Sequence, residues 1–204
     1  MSALRDFLSQ ITIPHTDIVV SRCARVLESD DQATVTVDLG MPTQRVADAI
    51  VNELTSVLSD AGFTVKVVVE QLIPSIQPAN SKGRIDGVKN IVAIASGKGG
   101  VGKSTTAVNL ALALSQAGAT VGMLDADIYG PSQSHMLGVA DKRPEVQNNN
   151  TIMPIHAHGI QMISMGNLVN ENTPMVWRGP MASGALQQLL QKTAWQEVDY
   201  LIVD

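Results

Sequence analysis

The stretch Gly97-Lys98-Gly99-Gly100-Val101-Gly102-Lys103-Ser104-Thr105 concentrates the groups that hold a phosphate chain. Gly97, Gly102, Lys103 and Ser104 satisfy the spacing G-x-x-x-x-G-K-[ST]. Each residue type has a reason. The glycines reach backbone angles closed to other residues and let amides approach phosphate oxygens closely. Lys103 supplies positive charge for the β- and γ-phosphates, and the Ser104 hydroxyl completes a magnesium shell. The stretch therefore predicts a cradle for the triphosphate of ATP with Mg2+, built from residues 97–105.

Three acids are candidates to complete such a site. Asp125 and Asp127 close the run Thr120-Val121-Gly122-Met123-Leu124, and Asp204 closes Tyr200-Leu201-Ile202-Val203. Carboxylates beyond the C-terminal edge of parallel strands face the crevice where ligands bind. Capping of the helix that follows is the alternative reading of Asp125 and Asp127. Cys23 is the only cysteine and reads as a small buried hydrophobe. His15, His135, His156 and His158 form no ligand set, because no third ligand of metal spacing lies near the last two.

These residues need a frame. Ile91-Val92-Ala93-Ile94-Ala95 is a continuous apolar run, as in a strand buried on both faces of a parallel sheet. A helix over 105–117 ends at Gly118, and 120–125 reads as a second buried strand. Together they predict a right-handed βαβ unit with the glycine-rich loop between strand and helix. Residues 151–156 and 160–165 are expected to pair as a hairpin across 157–159. A helix near 181–192 and a strand over 200–204 complete this part.

The first 73 residues predict a separate α+β unit. Strands are expected over 34–39 and 63–69, with β-rich residues at Val19-Val20. Between them Val46, Ala49, Ile50, Leu54, Val57 and Leu58 recur at helical spacing, with Thr43 as N-cap. Residues 74–88 lose hydrophobic period and hold Pro74, Pro78, Gly83 and Gly87, which reads as a linker. The domains expected are 1–73, linker 74–88, and 89–204.

Composition narrows the partners. Fourteen basic against nineteen acidic residues in 204 give a net charge of −5, with no basic cluster. That argues against nucleic acid or an anionic membrane as the main partner. The N-terminus lacks a long apolar stretch and no segment reaches a bilayer-spanning length, so a cytoplasmic protein is expected.

The full loop resembles the deviant Walker A of MinD/ParA-type ATPases. Asp127-Ile128-Tyr129-Gly130-Pro131-Ser132 and Trp177-Arg178-Gly179-Pro180-Met181 resemble strings of the Mrp/ApbC branch. That resemblance implies an α/β fold, a P-loop NTPase parallel sheet with helices on both faces, preceded by a small MIP18-like α+β domain. It implies a homodimeric ATPase that carries a 4Fe–4S cluster, receives it from scaffold proteins and delivers it to apo iron–sulfur proteins. Lys98 would reach across the dimer to the partner's nucleotide; a solvated loop lysine is the alternative. Asp127 would orient the attacking water, making Lys98, Lys103 and Asp127 the catalytic set. Ser104, Asp125 and Asp204 would serve the magnesium. A positioning ATPase of the MinD/ParA type, acting on membrane or DNA, is the competing function. The chain stops at Asp204, so it reads as C-terminally truncated, with the family's cluster-binding Cys-x-x-Cys expected beyond that residue.

Overall fold

The computed structural model describes residues 2–28, 32–76, 83–128, 130–147, 150–168 and 179–204. The chain divides into two compact units, Met1–Pro74 and Ser75–Asp204. Tyr129, Trp177 and Arg178 of the two strings, and residues 77–82 of the expected linker, lie outside the described residues.

The first unit orders α1 (Ser2–Leu8), β1 (Ala24–Glu28), β2 (Ala33–Asp38), α2 (Ala47–Asp60) and β3 (Val65–Glu70). Its sheet runs β1-β2-β3, with β1 antiparallel and β3 parallel to β2. Ile50, Leu54 and Leu58 bury one stripe of α2 at fourfold spacing, while Val46 and Val57 remain exposed. That stripe packs with Leu4, Leu8, Val35, Val37 and Val67 in one core. The N-cap is Val46, with no side-chain bond, rather than Thr43. The Thr43 carbonyl instead accepts from Val46 and Ala47 N–H in a turn that precedes the helix. The Val19-Val20 run forms a 3-10 turn, Val20–Arg22, instead of a strand.

The second unit contains β4 (Val88–Ala93), α3 (Lys103–Gln116), β5 (Val121–Asp125) and α4 (Gln133–Met136). It continues with β6 (Val146–Gln147), β7 (Thr151–Ile152), β8 (Ile155–Ala157), β9 (Ile160–Ser164) and α5 (Met165–Leu168). Helix α6 (Gly179–Lys192) and β10 (Val198–Val203) end it. The main sheet has the order β4-β10-β5-β9-β8, parallel except for the β8–β9 hairpin. This is a mostly parallel α/β fold.

Long-range pairing changed several sequence expectations. The last strand, β10, inserts between β4 and β5, so the strands flanking the glycine-rich loop and α3 are not neighbours. Strand β4 pairs with β10 alone among the described strands, and Ile91 is 49% exposed, so it is not buried on both faces. The wholly buried strands are β5 and β9. The hairpin turns at His158-Gly159, and Thr151-Ile152 pairs with Val146-Gln147 instead of joining it. Ile85, within the stretch read as linker, is buried in the core with Leu124, Ile163, Leu189, Trp195 and Leu201.

Candidate phosphate-binding site

The loop between β4 and α3 leaves the sheet at its C-terminal edge. Ile94 N–H donates to the Val203 carbonyl (2.8 Å), Asp204 N–H to Leu124 (3.0 Å), and Ala126 N–H to Asp204 (2.9 Å). Three strand ends are thereby locked in register, which sets Asp204 between the glycine-rich loop and the acidic segment after β5.

Gly100 and Gly102 take φ of 73° and 86°, the left-handed region that a side chain resists. A Cβ added at Gly97, Gly99, Gly100 or Gly102 would meet no heavy atom within 4 Å. Room against the protein is therefore not what these glycines provide; the space they face is open to a ligand. Gly102 is the N-cap of α3 and makes no side-chain cap bond. The first-turn amides of this 14-residue helix thus meet an anion with the helix dipole behind them.

Behind the loop lies a closed polar knot. Lys103 Nζ donates to Asp204 Oδ1 at 2.5 Å, with the carboxylate side chain fully buried. Ser104, the next residue, is among the groups that favour the charged form of Asp204. Gln133, on the first turn of α4, donates through Nε2 to Asp204 Oδ2 (2.6 Å) and to the Ser104 carbonyl (3.0 Å). Burial pushes the Asp204 carboxyl up, but the bonds from Lys103, Gln133 and Ser104 and the Lys103 charge outweigh it. The net effect holds Asp204 below the usual carboxylate range.

Asp125 is fully buried and accepts from Asp127 N–H (3.2 Å), Gln133 N–H (3.0 Å) and the Ser164 hydroxyl (3.1 Å). Burial raises its carboxyl above the usual range despite these bonds, and the Asp204 charge adds to the rise. In this arrangement Asp125 ties the end of β5 to α4 and β9. Asp127 is half-buried and accepts from Gly130 N–H at 3.0 Å. Lys98, Val101 and Thr105 are exposed on the loop or the first turn of α3.

The structure thus gathers Lys103, Ser104, Asp125 and Asp204 and sets Asp127 two residues beyond β5. Sequence reasoning missed Gln133 and Ser164. Ser164 becomes visible only through the β5–β9 register, which places it opposite Asp125. Gln133 carries no type-specific signal beyond following Gly130-Pro131-Ser132.

Cys23 lies in the other unit, its thiol directed at the Val19 and Val20 carbonyls and pushed up by burial and then by the Asp38 charge. His158 stands in a turn at φ 49° with Nε2 3.2 Å from the Leu137 carbonyl, so it does not share a strand face with His156. Among the described residues no group of three or more His, Cys, Asp or Glu gathers to hold a metal ion.

Residues 87–204 match the family model described as ParA: NUBPL iron-transfer P-loop NTPase. The chain belongs to this family. The resemblance to the Mrp/ApbC branch of these NTPases holds among its relatives as well. An iron–sulfur cluster carrier protein of Pseudomonas fragi is 59% identical over 133 residues, covering 63% of this chain and 46% of its own length. One from Haemophilus influenzae is 46% identical over 194 residues, 92% of this chain and 52% of the relative. The iron–sulfur cluster transfer protein NUBPL of Dictyostelium discoideum is 47% identical over 129 residues, 63% of this chain and 40% of its own. A solved nucleotide-binding protein from Archaeoglobus fulgidus, in complex with ADP, is 34% identical with a TM-score of 0.48. It covers 58% of this chain and 44% of its own. The chain spans about half the length of the curated relatives it matches.

Proposed function

We propose that this chain binds ATP with magnesium at residues 97–105 and hydrolyses it as the nucleotide-dependent part of a cytoplasmic iron–sulfur cluster carrier. The observation that carries the reading is the Lys103–Asp204–Gln133 knot behind an open, left-handed glycine loop. Loop amides and the α3 N-terminus bind the phosphates. Lys103 leaves Asp204 for the β- and γ-phosphate oxygens, and the Ser104 hydroxyl and Asp204 hold magnesium, with Asp125 supporting that shell through the shared Gln133. Bound magnesium neutralises charge on the phosphates. Asp127 orients the attacking water.

Lys98 acts on the nucleotide of a second copy, stabilising charge that develops on the transferred phosphoryl group. Its exposure on the loop fits that reach. The cargo, a 4Fe–4S cluster, passes from scaffold proteins to apo iron–sulfur proteins, as the names of the relatives suggest. Four thiolates are the usual ligand set, and this sequence holds one cysteine; the 204 residues supply the nucleotide switch, not a four-thiolate cradle. The N-terminal unit is the MIP18-like domain of that layout. Nucleic acid and membrane are not its partners, in keeping with the net charge of −5. Among the described residues no helix is long and apolar enough to cross a membrane.

Anaerobic purification of the protein from its native cells tests the carrier half. Visible absorbance with bound iron and sulfide is expected, and a colourless, iron-free protein that stays so after reconstitution contradicts it. Phosphate release from ATP tests the hydrolytic half, which fails if the rate equals that of the protein-free blank.

A further inference from the structure

Gln133 is fully buried, and the two ends of its amide have unlike surroundings. Nε2 donates to the Ser104 carbonyl and to Asp204 Oδ2. Both partners are acceptors, so the amide has one orientation: exchanging its oxygen and nitrogen would set oxygen against two oxygens. Oε1 is left buried with no hydrogen-bond partner among the described residues. Leaving such a group unpaired costs about 1–3 kcal/mol.

The neighbouring side chains do not offer a donor. Asp204 and Asp125 present carboxylates, the Ser104 hydroxyl is the one proposed for magnesium, and the Ser164 hydroxyl is engaged with Asp125. Lys103 is engaged with the other Asp204 oxygen. The main chain of Gln133 is fixed separately, by its N–H on Asp125. Among the described residues nothing supplies a donor for Oε1 in this acceptor-rich place. Water in the shell of a cation turns its hydrogens outward and suits such an acceptor.

We infer that Gln133 is a positioning residue of the magnesium site. Its Nε2 fixes the Asp204 carboxylate, and its Oε1 accepts a hydrogen bond from a cation-bound water. This rests on the phosphate-loop reading above. It gives α4 a purpose: the helix carries an amide that senses the hydrated cation and is tied through its own N–H to Asp125 at the end of β5.

The test is titration of the 204-residue chain with a fluorescent ADP analogue, in EDTA and in excess Mg2+. The readout is the ratio of the two dissociation constants. Gln133→Met keeps the volume and removes donor and acceptor; the Mg2+ gain should fall by about tenfold, the size typical for loss of an outer-shell partner. A purely structural role, or an ordinary buried water on Oε1, would leave the ratio in Gln133→Met at the wild-type value, and that overturns the inference.

If Gln133→Met does not fold, the side-chain amide resonance of Gln133 in the wild-type chain decides. It should shift when Mg2+ is added to the ADP-bound chain, and an unmoved resonance overturns the inference. Wild-type binding with an Mg2+ gain that survives in Gln133→Met defeats this inference alone. No nucleotide binding by the wild type defeats the phosphate-loop reading as well.

Discussion

Lys103 spends its charge on Asp204 in the nucleotide-free chain, so a phosphate has to compete for it. The same carboxylate repels polyphosphate until a cation screens it. In EDTA, Asp204→Asn should therefore bind ATP about tenfold more tightly than wild type, equal to roughly 1.4 kcal/mol of charge repulsion removed. Its Mg2+ gain should shrink at the same time. Titration in EDTA and in Mg2+ checks both, and weaker metal-free binding would contradict the competition. Stability carries a second signature. Folding holds the Asp204 carboxyl below its ordinary value near 4, so the unfolded chain binds more protons between those two values. Its contribution is complete above about pH 4 and is lost as pH falls through the folded value. Asp125 has the opposite sign: burial raises it, so stability falls as pH rises from the ordinary value towards the folded one. Urea unfolding in EDTA should show Asp204→Asn less stable than wild type at neutral pH, by about 2 kcal/mol. The difference should close below about pH 4, and a gap independent of pH would contradict the assignment. The loop residues were legible because phosphate chemistry restricts residue types at fixed local spacing. Gln133 was not, since an amide becomes informative only once Ser104 and Asp204 are seen on one of its ends.

At the scale of elements, the sheet's interior is fitted around Trp195. A Cβ on Gly87, which has φ 75°, would lie 2.1 Å from the Trp195 carbonyl oxygen, and one on Gly122 would touch the indole at 3.0 Å. Gly87→Ala combines left-handed strain with a backbone clash and should destabilise the chain by about 3 kcal/mol. Thermal and urea unfolding check this; a change under about 0.5 kcal/mol, as at an ordinary surface site, would contradict it. The glycine sits where the sequence read as linker, because loss of hydrophobic period is equally the mark of a tight approach in which a side chain has no room. Local pattern located β4, α3, β5, β9, α6 and β10, with ends shifted by a few residues, but not α4, β6 or α5. It did not show β10 between β4 and β5, since that pairing joins residues 88–93 to 198–203 across the unit. The exposed Ile91 was missed for the same reason: burial of a strand depends on both neighbours, and β4 has one among the described strands.

For the whole molecule, the chain divides into two units at Pro74, and Ile50, Leu54 and Leu58 are the buried half of the apolar face expected for α2, with Val46, Ala49 and Val57 exposed. What local sequence does not encode is assembly. If Lys98 serves the nucleotide of a second copy, hydrolysis per chain rises with chain concentration. Lys98→Ala should then lower phosphate release by about a thousandfold, the lower range for a charge supplied in trans. Mixing Lys98→Ala with Lys103→Ala chains should restore part of the rate, because one site of the mixed pair keeps its own Lys103 and receives Lys98 from its neighbour. A mixture no faster than either variant alone would contradict action across the pair.

The binding and hydrolysis expectations stand on nucleotide occupying the loop. Isothermal titration of the wild-type chain with ATP and Mg2+, beside Lys103→Ala, measures that most directly. The account predicts saturable binding by the wild type and a loss of about a hundredfold in Lys103→Ala, near 2.7 kcal/mol. Equal affinity of the two chains, or no binding by either, would contradict it.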